Sequence, residues 1–202
     1  MDVIDKLTEI FKEFPGIGER QARRFVYFLM AKNGDYAASL TKLVAELKKE
    51  VSQCESCFRF FLGGQNGKKI CGICTDPGAD TSTLLVLEKD SDLESMRKSG
   101  AYRGMYFLLG GLVPIVEKTT KSRVRIEELK KRVKTGKPKE VILAFSLSPQ
   151  GDHTESYVRS ELADIAKELG IKISTLGRGL STGTELEYSD TDTLKNALKN
   201  RQ

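Results

Sequence analysis

The stretch "TLLVLEKDSDLESMRKSGAYRGMYFLLGG", residues 83–111, decides the fold. "TLLVLE" is a short apolar run without polar alternation, the pattern of a strand buried on both faces. "SDLESMRKSG" reads as a helix. "MYFLLGG" is a second buried strand. Strand, helix and strand in quick succession predict a parallel pair with its helix packed across it.

The alternation continues downstream. "RIEELKKRVKTG" (125–136) predicts a helix and "EVILAFS" (140–146) a third strand. Residues 154–170 set Val158, Leu162, Ile165, Ala166 and Leu169 along one stripe, and Gly170 ends that helix. "IKISTLGRG" (171–179) predicts a fourth strand, and "TDTLKNALKN" a last helix. The fold class is therefore a multidomain α+β and α/β chain built on a parallel sheet with flanking helices, closed by a C-terminal strand–helix segment.

Upstream the period changes to that of helices. Leu7, Ile10, Phe11 and Phe14 share a face in residues 2–14, and Ala22, Phe25, Val26 and Leu29 do so from Glu19 to Ala31. "FPGIG" interrupts the two, and a third helix is expected from about Asp35 to Val51. "TDPGADTST" (75–83) is rich in turn formers and reads as a linker into the sheet domain.

All four cysteines of the 202-residue chain lie in "CESCFRFFLGGQNGKKICGIC" (54–74). Cys54-x-x-Cys57 and Cys71-x-x-Cys74 each make a tight turn that aims two thiolates at one ion, and together they complete a closed tetrahedral Zn2+ site. With no open position, such a zinc is structural and holds a segment too small for its own core. The thirteen-residue gap is a little short for this arrangement, and Lys68 and Lys69 stand ready to offset thiolate charge.

"FPGIGERQARR" carries a second chemistry. Gly16 and Gly18 suit a tight turn that exposes backbone N–H groups beside a helix N-terminus, and Ile17 between them anchors the turn. Arg20, Arg23 and Arg24 follow on the first turns of the next helix, within reach of neighbouring phosphates. Contacts of this kind read the backbone and not the base sequence, so binding is expected to depend on salt. The bland alternative is a helical corner with solvated arginines.

The net charge of +5 fits a polyanionic partner, as does the run from Lys118 to Glu140, with ten Lys/Arg against three acids. That run can equally be a solvated helix face. Nothing approaches a membrane span, and the amphipathic, acid-bearing N-terminus does not read as a signal peptide, so a cytoplasmic location is expected.

Glu88, Asp90, Asp92 and Asp152 follow strand ends, where ligands of parallel sheets gather and Mg2+ can bind. Asp152 can instead cap the 154–170 helix with Glu155, and Asp92 can cap the helix after the first strand. Gln150 leaves no second acid two residues from Asp152, which argues against a two-metal site. His153 reads as a surface residue, and no GxxxxGK[ST] loop for ATP hydrolysis is present.

The order of "FPGIGERQARR", the four-cysteine module, "LLVLEKDSDLESMRKSGAYRGMYFLLGG" and "LGRGLSTGTELEYSDTDTLKNAL" resembles the RecR family of bacterial recombination mediators over nearly the whole chain. The resemblance implies a helix–hairpin–helix domain (1–53), a four-cysteine zinc finger (54–77), a Toprim domain (78–174) and a Walker-B-like C-terminal segment (175–202). It implies a homotetrameric ring that clamps DNA and acts with RecO and RecF to load recombinase on gapped single-stranded DNA, without being an enzyme. The family's basic pair falls on Arg20 and Arg24, and its Toprim glutamate on Glu88. Its Glu-Gly-Glu stretch, linked to RecO docking, falls on Gln150-Gly151-Asp152, where one acid is lost and one shortened. The Cys57–Cys71 gap is longer than usual for the family, and Phe58, Phe60 and Phe61 in it are expected to pack against a neighbour, with stacking on bases as the alternative. The alternative is a Mg2+-dependent Toprim nuclease or primase-like enzyme using Glu88, Asp92 and Asp152. A protein scaffold indifferent to DNA is a third reading.

Overall fold

The computed structural model describes residues 1–63, 67, 69–115, 124–177, 179–180, 183 and 185–199. Two compact units divide the chain near residue 51.

The first unit is helical. α1 (Val3–Lys12) starts where the Asp2 carboxylate accepts the Asp5 N–H at 2.8 Å, a side-chain N-cap. α2 (Glu19–Met30) packs against α1 through Phe11 and Phe25, whose rings meet edge to face with centroids 5.8 Å apart. Ala22 and Val26 are buried on the same side of α2. α3 (Gly34–Glu50) is capped by Asn33, which accepts the Tyr36 N–H at 3.1 Å, and buries none of its residues.

The second unit is built on a four-stranded sheet in the order β4-β3-β5-β6, every described pair parallel. Its strands are β3 (Asp80–Leu87), β4 (Gly104–Leu108), β5 (Glu140–Ala144) and β6 (Lys172–Thr175). Helices α4 (Asp90–Ser99), α5 (Ile126–Gly136) and α6 (Pro149–Leu169) connect them. β3 runs centrally, with Leu84 level with Met105 on one side and Val141 on the other. Side chains alternate across the pleat. Leu84, Val86 and Phe107 face the core shared with Leu129 of α5 and Leu162 of α6, whereas Leu85, Leu87 and Leu108 pack with Leu93 of α4. Both faces are thus covered, which is why the strands read as unbroken apolar runs. Each fully buried Leu or Phe contributes about 2 kcal/mol.

Gly100 and Gly170 end α4 and α6 in the left-handed conformation, at φ 66° and 65°. α6 begins five residues earlier than the stripe from 154 suggested. Ser148 accepts the Gly151 N–H at 3.1 Å and Pro149 supplies a preset first turn, so Ser148 is the N-cap and Asp152 lies inside the helix. Two short strands, β1 (Val51–Gln53) and β2 (Phe60–Leu62), pair beside the first cysteines, where no strand was anticipated. A 3-10 turn (Leu186–Tyr188) and α7 (Thr191–Lys199) follow the sheet. Arg178 and residues 181–182, 184 and 200–202 of the C-terminal segment lie outside the described residues.

Candidate metal centre and nucleic-acid interface

The four cysteines converge. Their Sγ atoms all lie within 4.8 Å of one another, with Cys57 and Cys71 at 3.6 Å and Cys54 and Cys74 at 3.9 Å. Four thiolates about 2.3 Å from a tetrahedral Zn2+ would stand about 3.8 Å apart, so the donor set has the right size for the ion. A disulfide would need sulfurs about 2 Å apart, and all four thiols are free.

The backbone builds this geometry locally. Phe58 N–H donates to the Cys54 carbonyl at 2.9 Å, Cys74 N–H to the Cys71 carbonyl at 3.0 Å, and Cys71 N–H to the Cys54 sulfur at 3.4 Å. Cys54, Cys57 and Cys71 are buried among Phe61, Ile70 and Ile73. Without a cation the cluster cannot ionise fully. The hydrogen bond to Cys71 pushes the Cys57 thiol up, and the same bond pushes Cys71 down. Cys74, drawn down by Cys57 but raised by Cys71 and by burial, goes up to about 12. A divalent cation is what lets four clustered thiolates, three of them buried, coexist. Lys69 takes no part in this, because it pairs with Glu55 at 3.3 Å, and Lys68 lies outside the described residues.

The finger is fastened to the sheet. Leu108 N–H at the end of β4 donates to the Cys57 carbonyl at 2.9 Å. Phe58 adopts a left-handed φ of 63°, which costs about 1–2 kcal/mol in a non-glycine residue. Its ring packs on Phe107 at 5.4 Å and under the Arg125 guanidinium at 5.3 Å, contacts that hold the strained backbone in place. Phe58 and Phe61 are packing residues, whereas Phe60 is exposed.

The hairpin lies between α1 and α2. Gly16 takes φ 77°, the conformation that suits glycine, and Ile17 N–H closes the turn on the Phe14 carbonyl at 3.0 Å. Gly18 is the N-cap of α2 and brings no side chain to bond the first-turn amides. Arg20 and Arg24 are exposed, and Arg24 donates to the Gln21 side-chain oxygen at 3.3 Å. Arg23 is engaged differently, pairing with Asp5 and Glu19 at 3.6 Å each. Its guanidinium is held more firmly charged by the Tyr27 hydroxyl first and by these acids after it.

The strand-end acids do not form a second metal cluster among the described residues. Glu88 stands 3.8 Å from Lys89. Asp90 accepts the Phe60 N–H of the finger at 2.9 Å, and Asp92 accepts the Lys89 N–H at 3.3 Å as part of the α4 cap. Asp152 is exposed on the first turns of α6, beside His153. Within the basic run, Lys130 is held by Glu127 and Glu161, and Arg125 donates to the Leu108 carbonyl at 3.1 Å. Lys118, Lys121 and Arg123 lie outside the described residues.

Family models match in two places: a Toprim domain over residues 82–177 and "RecR, C-terminal" over 179–202. A recombination protein RecR of Dehalococcoides mccartyi is 34% identical over 200 residues, covering 99% of this chain and 94% of the relative. Recombination protein RecR of Chloroflexus aurantiacus is 33% identical over 199 residues, covering 98% and 93%. Its counterpart in Bacteroides thetaiotaomicron is 34% identical with the same coverage.

Proposed function

Because this chain belongs to the RecR family of recombination proteins, we propose that it is a non-enzymatic, cytoplasmic DNA-binding mediator of recombinational repair. It closes as a homotetrameric ring around DNA and acts with RecO and RecF to help load recombinase on gapped single strands. The observation that carries this reading is the hairpin: uncapped first-turn amides of α2 followed at once by exposed Arg20 and Arg24. Amides and the helix dipole attract one phosphate, and the two guanidiniums take its neighbours. Gly16, Ile17 and Gly18 shape the turn, while Arg23 steadies it through Asp5 and Glu19.

The cysteine centre holds one Zn2+, which stiffens the finger against the sheet. The zinc does no chemistry, since four cysteines fill its coordination. Self-assembly is supported by α3, whose Leu40, Leu43, Val44 and Leu47 recur at helical spacing and are exposed. Several weak patches on one ring act at high effective concentration. Glu88 and Asp152, at the carboxyl ends of the strands, are the docking acids for protein partners. The Mg2+-enzyme alternative is disfavoured because Asp92, one of its three acids, accepts the Lys89 N–H, and Glu88, Asp92 and Asp152 form no metal-binding group among the described residues.

The test is the salt dependence of DNA binding in the Arg20→Ala/Arg24→Ala variant. Loss of two phosphate contacts per chain lowers the slope of log K against log salt by about 1.4 for each chain that engages a single strand, whatever its sequence. An unchanged slope and affinity would defeat the proposal.

A further inference from the structure

α2 carries more than arginines on its outer face. At about 100° per residue, Arg20, Arg24 and Tyr27 fall within about 60° of one another, on the side opposite the buried Ala22 and Val26. Tyr27 is 54% exposed at this outward pole, with its hydroxyl against Arg23 one turn earlier. It lies about 10 Å along the helix axis from Arg20, at about 1.5 Å per residue. Beside it, Phe28 meets Tyr36 edge to face at 5.9 Å and carries the Lys32 ammonium over its ring at 4.7 Å.

From this juxtaposition we infer that the α2 face running from Arg20 and Arg24 to Tyr27 is a stacking platform for an unpaired nucleobase of single-stranded DNA. The inference rests on the DNA-binding reading above and adds the strand type that the site prefers. The arginines hold the phosphates of any DNA, double or single. A base in a duplex already has both faces stacked, whereas an unpaired base offers a face to the phenol ring. Charge complementarity selects the occupant: an apolar partner would bury Arg20 and Arg24 without compensation, while a phosphate chain pairs them and delivers a base to the ring. Lys32 extends the positive strip past the aromatic pair.

The chain contains no tryptophan, so Tyr27→Trp places a single indole on the platform. In the full-length protein its fluorescence is expected to be quenched by oligothymidylate and not by a random-sequence duplex. Tyr27→Leu is expected to bind oligothymidylate roughly tenfold more weakly, with duplex affinity and salt slope unchanged, and Tyr27→Phe to behave as the parent. Equal quenching by both DNAs, or Tyr27→Leu affinities equal to the parent's, overturns the platform even while Arg20→Ala/Arg24→Ala still loses both DNAs. A fall in native mass for Tyr27→Leu also overturns it, by making this a face between copies of the chain. If the parent binds neither DNA, the DNA-binding reading falls with it.

Discussion

Replacing Gly151 by alanine sets two effects of opposite sign against each other. Gly151 is the third residue of α6, and on helix propensity alone alanine would gain about 1 kcal/mol. A Cβ there, however, would run into the Ser146 carbonyl oxygen, with the carbonyl carbon and Oγ of Ser146 at 2.9 and 3.0 Å. That carbonyl already accepts the Ser148 N–H at 3.0 Å, and Ser148 in turn caps the helix on Gly151 N–H. The clash cannot be relieved by a side-chain rotation, because it is with backbone. Overpacking of this kind costs about 1–3 kcal/mol, and losing the cap costs about 1 more. Subtracting the propensity gain leaves a net loss of about 2 kcal/mol, or a melting temperature roughly 4–8 °C lower for a chain of this size. Thermal unfolding followed by circular dichroism measures it. An unchanged or raised midpoint would refute the account of how α6 begins, and with it the placement of Asp152 on the first turns of that helix.

Two further outcomes follow from the same chemistry. Metal-replete protein should contain one Zn2+ per chain by elemental analysis, and Cys57→Ser should lose it; acidification should release it as protons compete for the thiolates. Protein replete in other metals but without zinc would contradict the cysteine centre. Glu140 titrates below its ordinary value of 4.5, because Ser174 donates to it at 2.6 Å and Lys172 pairs with it at 3.0 Å, both from the edge strand β6. A depressed carboxylate stabilises the fold above its unfolded pKa and loses that contribution as pH falls through the folded value. Glu140→Gln should therefore be less stable than the parent at neutral pH, and the difference should shrink below about pH 4.5 in urea titrations. A difference that grows on acidification would reverse the assignment.

The architecture was legible where local chemistry and tertiary packing agree. The apolar runs at 84–87 and 105–109 are buried on both faces, and Val141 and Leu143 are buried with Ile142 half-buried between them, so all three could be read as parallel strands. Gly170 announced a helix end because the position needs a positive φ. The start of α6 was misplaced because its apolar stripe begins only at Val158, although Ser148-Pro149 already spelled a cap and a first turn. β1 and β2 were missed because three-residue strands carry no period of their own; Val51 reads as the continuation of α3. At the site, the paired cysteines converge as their spacing suggested. The tasks of individual charges were not legible. Asp90 bonds a backbone N–H thirty residues earlier, and Arg23 turns away to Asp5 on another helix. Such partners are set by the packing of separate elements, which no local pattern encodes.

The central claim is a multi-subunit grip on the phosphate backbone without bond-breaking. Native mass spectrometry of the protein incubated with single-stranded DNA and Mg2+, from low and from high salt, tests it most directly. The account predicts a four-chain complex carrying one intact strand at low salt and its dissociation at high salt. A single chain on the DNA, a complex indifferent to salt, or a shortened or lengthened strand would contradict it.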